Sequence, residues 1–105
     1  MSVLSVMKWN INPAKTEKYE KWAQSAIKRT LEAPGVVEFR SYRATTGDFQ
    51  VIVTHEFADL NAWANWQANE EVQKVNEELY TVATNIQKEV WGPSPVAPKP
   101  IRPGG

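Results

Sequence analysis

Hydrophobic and polar positions alternate from the first residues of the chain. Val3, Ser5, Met7, Trp9 and Ile11 fall on one side, and Leu4, Val6, Lys8 and Asn10 on the other, the period of two that predicts a strand. Asn12-Pro13 then reads as a helix N-cap followed by a proline, which lacks the N–H that would be unpaired there anyway. Tyr19, Trp22, Ala23, Ala26, Ile27 and Leu31 recur every three or four residues, so a helix should run to Pro34-Gly35 with that stripe on the sheet. The period returns to two over Val36–Thr45 and Phe49–Phe57, and Thr46-Gly47-Asp48 between them has the chemistry of a turn, which predicts an antiparallel hairpin. Phe49, Val51, Val53, His55 and Phe57 should share one of its faces.

A second helical region follows. Asp59 is a cap for a segment carrying Leu60, Trp63 and Trp66. Asn69 is a second cap, with Glu70 and Glu71 in the first turn, where the helix dipole favours carboxylates. Val72, Val75, Leu79 and Val82 continue the apolar stripe, so the region should bend or break near Ala68-Asn69. Residues 85–91, NIQKEVW, form a last predicted strand. Residues 93–105 hold five of the seven prolines and should be a proline-rich tail outside a domain of residues 1–92. Its PVAP and PIRP segments have the P-x-x-P spacing of groove-binding peptides, and the tail is expected to clasp a dimer.

The predicted order, β-α-β-β-α-β, with right-handed crossovers gives a four-stranded antiparallel sheet with the helices on one face. This is an α+β, ferredoxin-like arrangement. The other face would show Leu4, Val6, Val36, Tyr42 and Ile52 among Lys8, Glu38, Arg40 and Glu56. A bare apolar sheet face of this kind predicts a subunit interface, and hence a homodimer.

Composition narrows the function. Twelve basic and twelve acidic residues are mixed along 105 residues, so no positive field forms for nucleic acid or anionic lipid. No apolar run approaches the ~18 residues of a membrane span, and MSVLSVMKWN does not read as a leader; a soluble cytoplasmic chain is expected. The absence of cysteine removes disulfides, thiolate metal sites and a cysteine nucleophile. Five tryptophans are many for this length, and each can remove ~150–250 Å² from water in a small core.

The segments WNINPAKTEKYEKWAQ, APGVVEFRSYRATTGDFQVIVTHEFADLNAWANWQ and the terminal VWGP resemble the dimeric α/β-barrel superfamily, and within it the antibiotic-biosynthesis-monooxygenase-like proteins, over residues 3–92. The resemblance implies two sheets facing each other as a barrel, with one pocket per subunit between sheet and helices. It also implies a choice among cofactor-free quinol-type monooxygenases, haem degraders, isomerases, cyclases and members without assigned activity. Haem degraders of this group carry an asparagine on the first strand, a tryptophan on the second helical region and an axial histidine about ten residues later. Trp66 matches the tryptophan, but the asparagine position falls on Met7, with Asn10 nearby, and the ligand position falls on Val75 or Asn76. Neither replaces an imidazole, so haem degradation is set aside and no cofactor or metal is expected.

His55 is the single histidine and the one side chain whose ordinary pKa suits a general base near neutrality. It is the candidate catalytic residue of a cofactor-independent monooxygenase acting on a small aromatic or hydrophobic compound. Trp66, Trp63, Trp22, Met7, Trp9, Phe39 and Ser41 are the candidate pocket residues, and Arg43 shares the face of Ser41. Glu56 points away from His55, so the two cannot chelate one metal. The alternative is a non-catalytic member whose pocket is filled by its own side chains. A binder or enzyme needs a cavity of a few hundred Å³ touching His55, and a structural protein does not.

Overall fold

The computed structural model describes residues 2–104; Met1 and Gly105, at the ends of the expected domain and tail, lie outside them. Four strands, β1 (Val3–Ile11), β2 (Val36–Arg43), β3 (Val51–Phe57) and β4 (Ala83–Trp91), form one sheet in the order β2-β3-β1-β4. Every neighbouring pair is antiparallel. The helices are α1 (Thr16–Glu32), α2 (Leu60–Gln67) and α3 (Glu70–Leu79). This is the ferredoxin-like order, with the second helix divided where the sequence places a second cap.

Local chemistry accounts for each boundary. Asn12 Oδ1 accepts from the Ala14 N–H and opens a short 3-10 turn, Pro13–Lys15, ahead of α1. Gly35 follows α1 at φ 113°, a left-handed conformation that favours glycine. Asp59 Oδ1 caps α2 at the Ala62 N–H, and Asn69 Oδ1 caps α3 at the N–H groups of Glu71 and Val72. β4 starts two residues before the expected strand because Thr84 and Ala83 still pair with Asn10 and Ile11, beyond a bulge where Asn85 takes φ 54°.

One sheet face carries the core. Val3, Ser5, Met7 and Trp9 of β1 and Val51, Val53, His55 and Phe57 of β3 are all buried beneath the helices. Three readings of the pattern need correction. Val36, expected on the open face, packs with Val3, Phe57 and Trp66 on the helix face, because the β2–β3 register shifts between Val36 and Glu38. Leu31 is exposed and Thr30 is the buried residue of that helical turn, because the stripe Tyr19, Ala23, Ala26, Thr30 holds its face over the sheet. Phe49 does not share the face of Val51: the chain leaves the pleat at Gln50, whose side chain is tied to the Ile11 N–H, and the Phe49 ring lies 6.0 Å from Lys8 Nζ on the opposite side.

That opposite face is closed at its centre. Val6, between Thr54 and Glu89 in the register, has 0% exposure. Near it Lys8 bridges to Glu89 at 3.6 Å and lies 5.5 Å from the Trp91 ring, while Trp91 Nε1 donates to Glu89. Tyr42 and Trp91 remain exposed and Leu4 and Ile52 half-exposed around this cluster. After Trp91 the described residues form neither helix nor strand, and all are exposed. No helix is long and apolar enough to cross a membrane.

Candidate functional site

Strand register assembles the site before any helix is added. Phe39 on β2 stands opposite His55 on β3, which stands opposite Ser5 on β1; in the next row of this face, Ser41 pairs with Val53 and Val53 with Met7. Over these rows lie α1, through Ala23, Ala26 and Thr30, and α3, through Val75, Asn76 and Leu79. Between sheet and helices they line a half-open cavity of about 130 Å³. His55, Trp66, Met7, Trp9, Phe39, Ser41 and Trp22 all line it. Trp63 does not. One helical turn before Trp66, it packs beside the cluster of Val3, Phe57, Trp66 and Val72 and faces a different cleft.

Thr30 organises the deep end. Its carbonyl accepts the Trp66 indole N–H at 3.0 Å, and its Oγ1 lies 3.3 Å from His55 Nε2. The Thr30 hydroxyl proton is given to Ile27 O at 2.9 Å, so Oγ1 is left to accept from His55 Nε2–H. That assigns the tautomer: Nδ1 carries the free lone pair. Nδ1 is buried and has no hydrogen-bond partner among the described residues. The imidazole is flanked by the rings of Phe39 at 4.9 Å and Trp66 at 4.7 Å, with Phe57 5.1 Å beyond Trp66. Desolvation in this aromatic cage lowers the His55 pKa from 6.5 to about 4, so the ring is neutral at neutral pH. The ordinary histidine value used to select it as a base therefore does not hold inside the fold.

At the other end Trp9 Nε1 donates to the Tyr19 hydroxyl at 3.2 Å, and the phenolic O–H of Tyr19 has no acceptor among the described residues. Burial raises the Tyr19 pKa against the lowering effects of Trp9 and Arg43, which keeps that proton in place. Asn76 adds an amide with no side-chain partner among the described residues. Trp22 is held by Glu78, which accepts its indole N–H at 2.8 Å and is itself gripped by Arg29 at 2.7 and 3.0 Å. Arg29 also donates to Glu71, so α1 and α3 are tied across the cavity. These bonds, led by that from Arg29, hold the Glu78 carboxyl below the usual carboxylate range.

Sequence reasoning missed Thr30 as a site residue; extending the Tyr19-Ala23-Ala26 spacing by four would have found it. Val75 and Asn76, where a haem ligand would fall, do line the cavity, without an imidazole. Among the described residues no three His, Asp or Glu side chains gather as metal ligands. The cavity is smaller than the few hundred Å³ expected of a binder; at about 130 Å³ it is near the size that takes a single benzene-like ring (an empty apolar cavity of ~150 Å³ binds benzene).

A family model described as antibiotic biosynthesis monooxygenase matches residues 2–78. No curated protein matches the sequence. Among solved structures, a dabb family protein with a ferredoxin-like fold from Mesorhizobium loti is similar at TM-score 0.79 and 14% identity, over 89% of this chain and 97% of that one. SnoaB, a cofactor-independent oxygenase from Streptomyces nogalater, is similar at TM-score 0.74 and 15% identity, over 93% and 98%. A dimeric ferredoxin-like protein from Thermobifida fusca is similar at 0.73 and 9%, over 87% and 90%. At these identities the likeness is one of fold.

Proposed function

The chain belongs to the antibiotic biosynthesis monooxygenase family, and on that premise we propose that its cavity binds a single-ring phenol or quinol and presents it to dioxygen without a cofactor. The observation that carries this reading is one aromatic-walled cavity of about 130 Å³ that touches His55 and has in its wall a Tyr19 O–H without an acceptor among the described residues. The fold likeness to a cofactor-independent oxygenase supports it.

In this reading a small movement of the cavity wall uncovers the buried His55 Nδ1, the unfilled acceptor, to the substrate hydroxyl, and the ring stacks within the Phe39 and Trp66 walls. Proton transfer to Nδ1 gives an oxyanion whose ortho and para carbons are electron-rich. One of these that bears a hydrogen reduces dioxygen and forms the new C–O bond; the resulting hydroperoxide then loses water together with that carbon's hydrogen. A phenol and O₂ become a quinone and H₂O, or a quinol and O₂ a hydroxyquinone and H₂O, with one atom of O₂ in each product. Moving a proton from a phenol of pKa ~10 to an imidazole of pKa about 4 is uphill by ~8 kcal/mol. The site therefore fits quinols and enols more acidic than phenol, whose transfer is less uphill.

We further propose a homodimer through the open sheet face, where Tyr42 and Trp91 are exposed around buried Val6. The dimeric Thermobifida fusca protein supports this, and sedimentation velocity tests it. For the site, hydroquinone should quench tryptophan fluorescence saturably, and a more acidic ring-chlorinated hydroquinone should drive oxygen uptake that His55→Gln lowers at least tenfold. Saturable binding without oxygen uptake would instead leave a binding protein, and neither would leave the non-catalytic reading.

A further inference from the structure

His55 Nδ1 is the one side-chain nitrogen or oxygen among the described residues that is buried without a hydrogen-bond partner. The residue is 4% exposed, and Thr30, 7% exposed, is the ring's partner at Nε2. A neutral imidazole carries one proton, so one of its nitrogens donates and the other accepts. The two tautomers differ in what they leave orphaned. With the proton on Nε2, Thr30 Oγ1 accepts it while its own O–H stays on Ile27 O at 2.9 Å, and the orphan is an acceptor. With the proton on Nδ1, the Thr30 hydroxyl must turn away from Ile27 O to donate to Nε2, and the orphan becomes a buried N–H. The second arrangement gives up the Ile27 bond and buries a bare donor, so the first is the stable one.

The same hydroxyl acts again once the ring is charged. When a substrate proton moves to Nδ1, the ring becomes an imidazolium between the faces of Phe39 and Trp66. Nε2–H then makes a charge-assisted bond to Thr30 Oγ1. The Thr30 O–H passes the polarisation on to Ile27 O, near the C-terminal end of α1. From this we infer that Thr30 is the positioning residue of the site: its hydroxyl holds His55 in the tautomer with a bare Nδ1 and stabilises the ring when Nδ1 takes up the proton. The inference rests on the reading of His55 as the group that receives the substrate proton. That proton passes from the substrate oxygen to Nδ1, and the Nε2 and Thr30 protons stay where they are. Thr30 also holds Trp66, but through its backbone carbonyl at 3.0 Å, so a side-chain substitution separates the two tasks.

Thr30→Val keeps the shape and the carbonyl and removes the hydroxyl. Each tautomer of its His55 then buries one bare N–H, so the two become comparable in population. With the His55 ring labelled with ¹⁵N and no ligand added, the wild type and Thr30→Ser should show a protonated Nε2 and a bare Nδ1. Thr30→Val should show two nitrogens of closer, averaged shift. Oxygen uptake with ring-chlorinated hydroquinone should have a kcat at least tenfold lower in Thr30→Val, the loss of one bond to a charged group, with KM within about threefold of wild type. Thr30→Ser should regain most of that rate. A wild-type ring protonated at Nδ1 overturns the inference without any variant. So does a Thr30→Val protein whose ring keeps its single tautomer, or one that mixes tautomers yet keeps its kcat. If no quinol supports uptake in the wild type, the oxygenase reading fails, and the ring nitrogens alone decide: mixing in Thr30→Val sustains the positioning role, and an unchanged pair of shifts overturns it.

Discussion

Replacing His55 by glutamine isolates what burial of a single imidazole does to stability. The folded ring has a pKa of about 4 against 6.5 for an ordinary histidine. Between these values the unfolded chain binds a proton that the folded chain does not, so stability must fall as pH falls through that window and is fully present above it. At ~1.36 kcal/mol per pH unit the total is ~3.4 kcal/mol, and from pH 7 to pH 5 the loss is about 2 kcal/mol. With 4% of its surface exposed, the ring has little solvent to screen this effect. Glu78, whose carboxyl is lowered by Arg29 and Trp22, also makes the wild type less stable in acid, but it does so equally in the variant. The assay is therefore urea unfolding of both proteins at pH 7 and pH 5, compared as a double difference. Wild type should lose about 2 kcal/mol more than His55→Gln. Equal losses, or a larger loss in the variant, would refute the claim that this imidazole is held neutral by desolvation.

Other substitutions probe the walls of the cavity. Trp66→Phe removes the N–H that holds the Thr30 carbonyl and part of a side chain 2% exposed; it should cost about 2–4 kcal/mol by chemical denaturation. Ala26→Leu places a larger side chain into the cavity from α1. It should weaken hydroquinone binding at least tenfold, read by tryptophan fluorescence, while the unfolding midpoint stays close to wild type. Arg29→Gln releases both Glu78 and Glu71 at half-exposed positions and should cost about 1 kcal/mol at low salt, with a smaller difference in 0.5 M NaCl (Debye length ~3–5 Å). Deleting residues 93–105 should raise the dimer dissociation constant if the tail clasps a partner; an unchanged sedimentation profile across a dilution series removes that role.

The fold was legible because its signals are local. The period of two in Val3–Ile11, the caps Asn12, Asp59 and Asn69, and the Pro34-Gly35 stop act through a residue's immediate neighbours, and each element they predict is present. Errors fell where locality fails. Phe49 left its predicted face because Gln50 bonds to Ile11, 39 positions away, and Thr30 entered the core in place of Leu31 because the fit of α1 on the sheet selects the buried turn.

The candidate site divides the same way. Residue types and strand parity sufficed to nominate His55 with Trp66, Phe39, Met7 and Ser41, since alternation alone puts the strand members on one face. Trp63 and Trp66, three residues apart, looked equivalent in sequence. Only the seating of α2 separates them, giving Trp66 the Thr30 carbonyl and the His55 ring and leaving Trp63 over another cleft. Sequence determined which elements form and which side chains share a face, because those follow from backbone periodicity and capping. The cavity's size, the tautomer of His55 and its depressed pKa were decided by tertiary structure. Each depends on distances between atoms that the chain brings together only by folding.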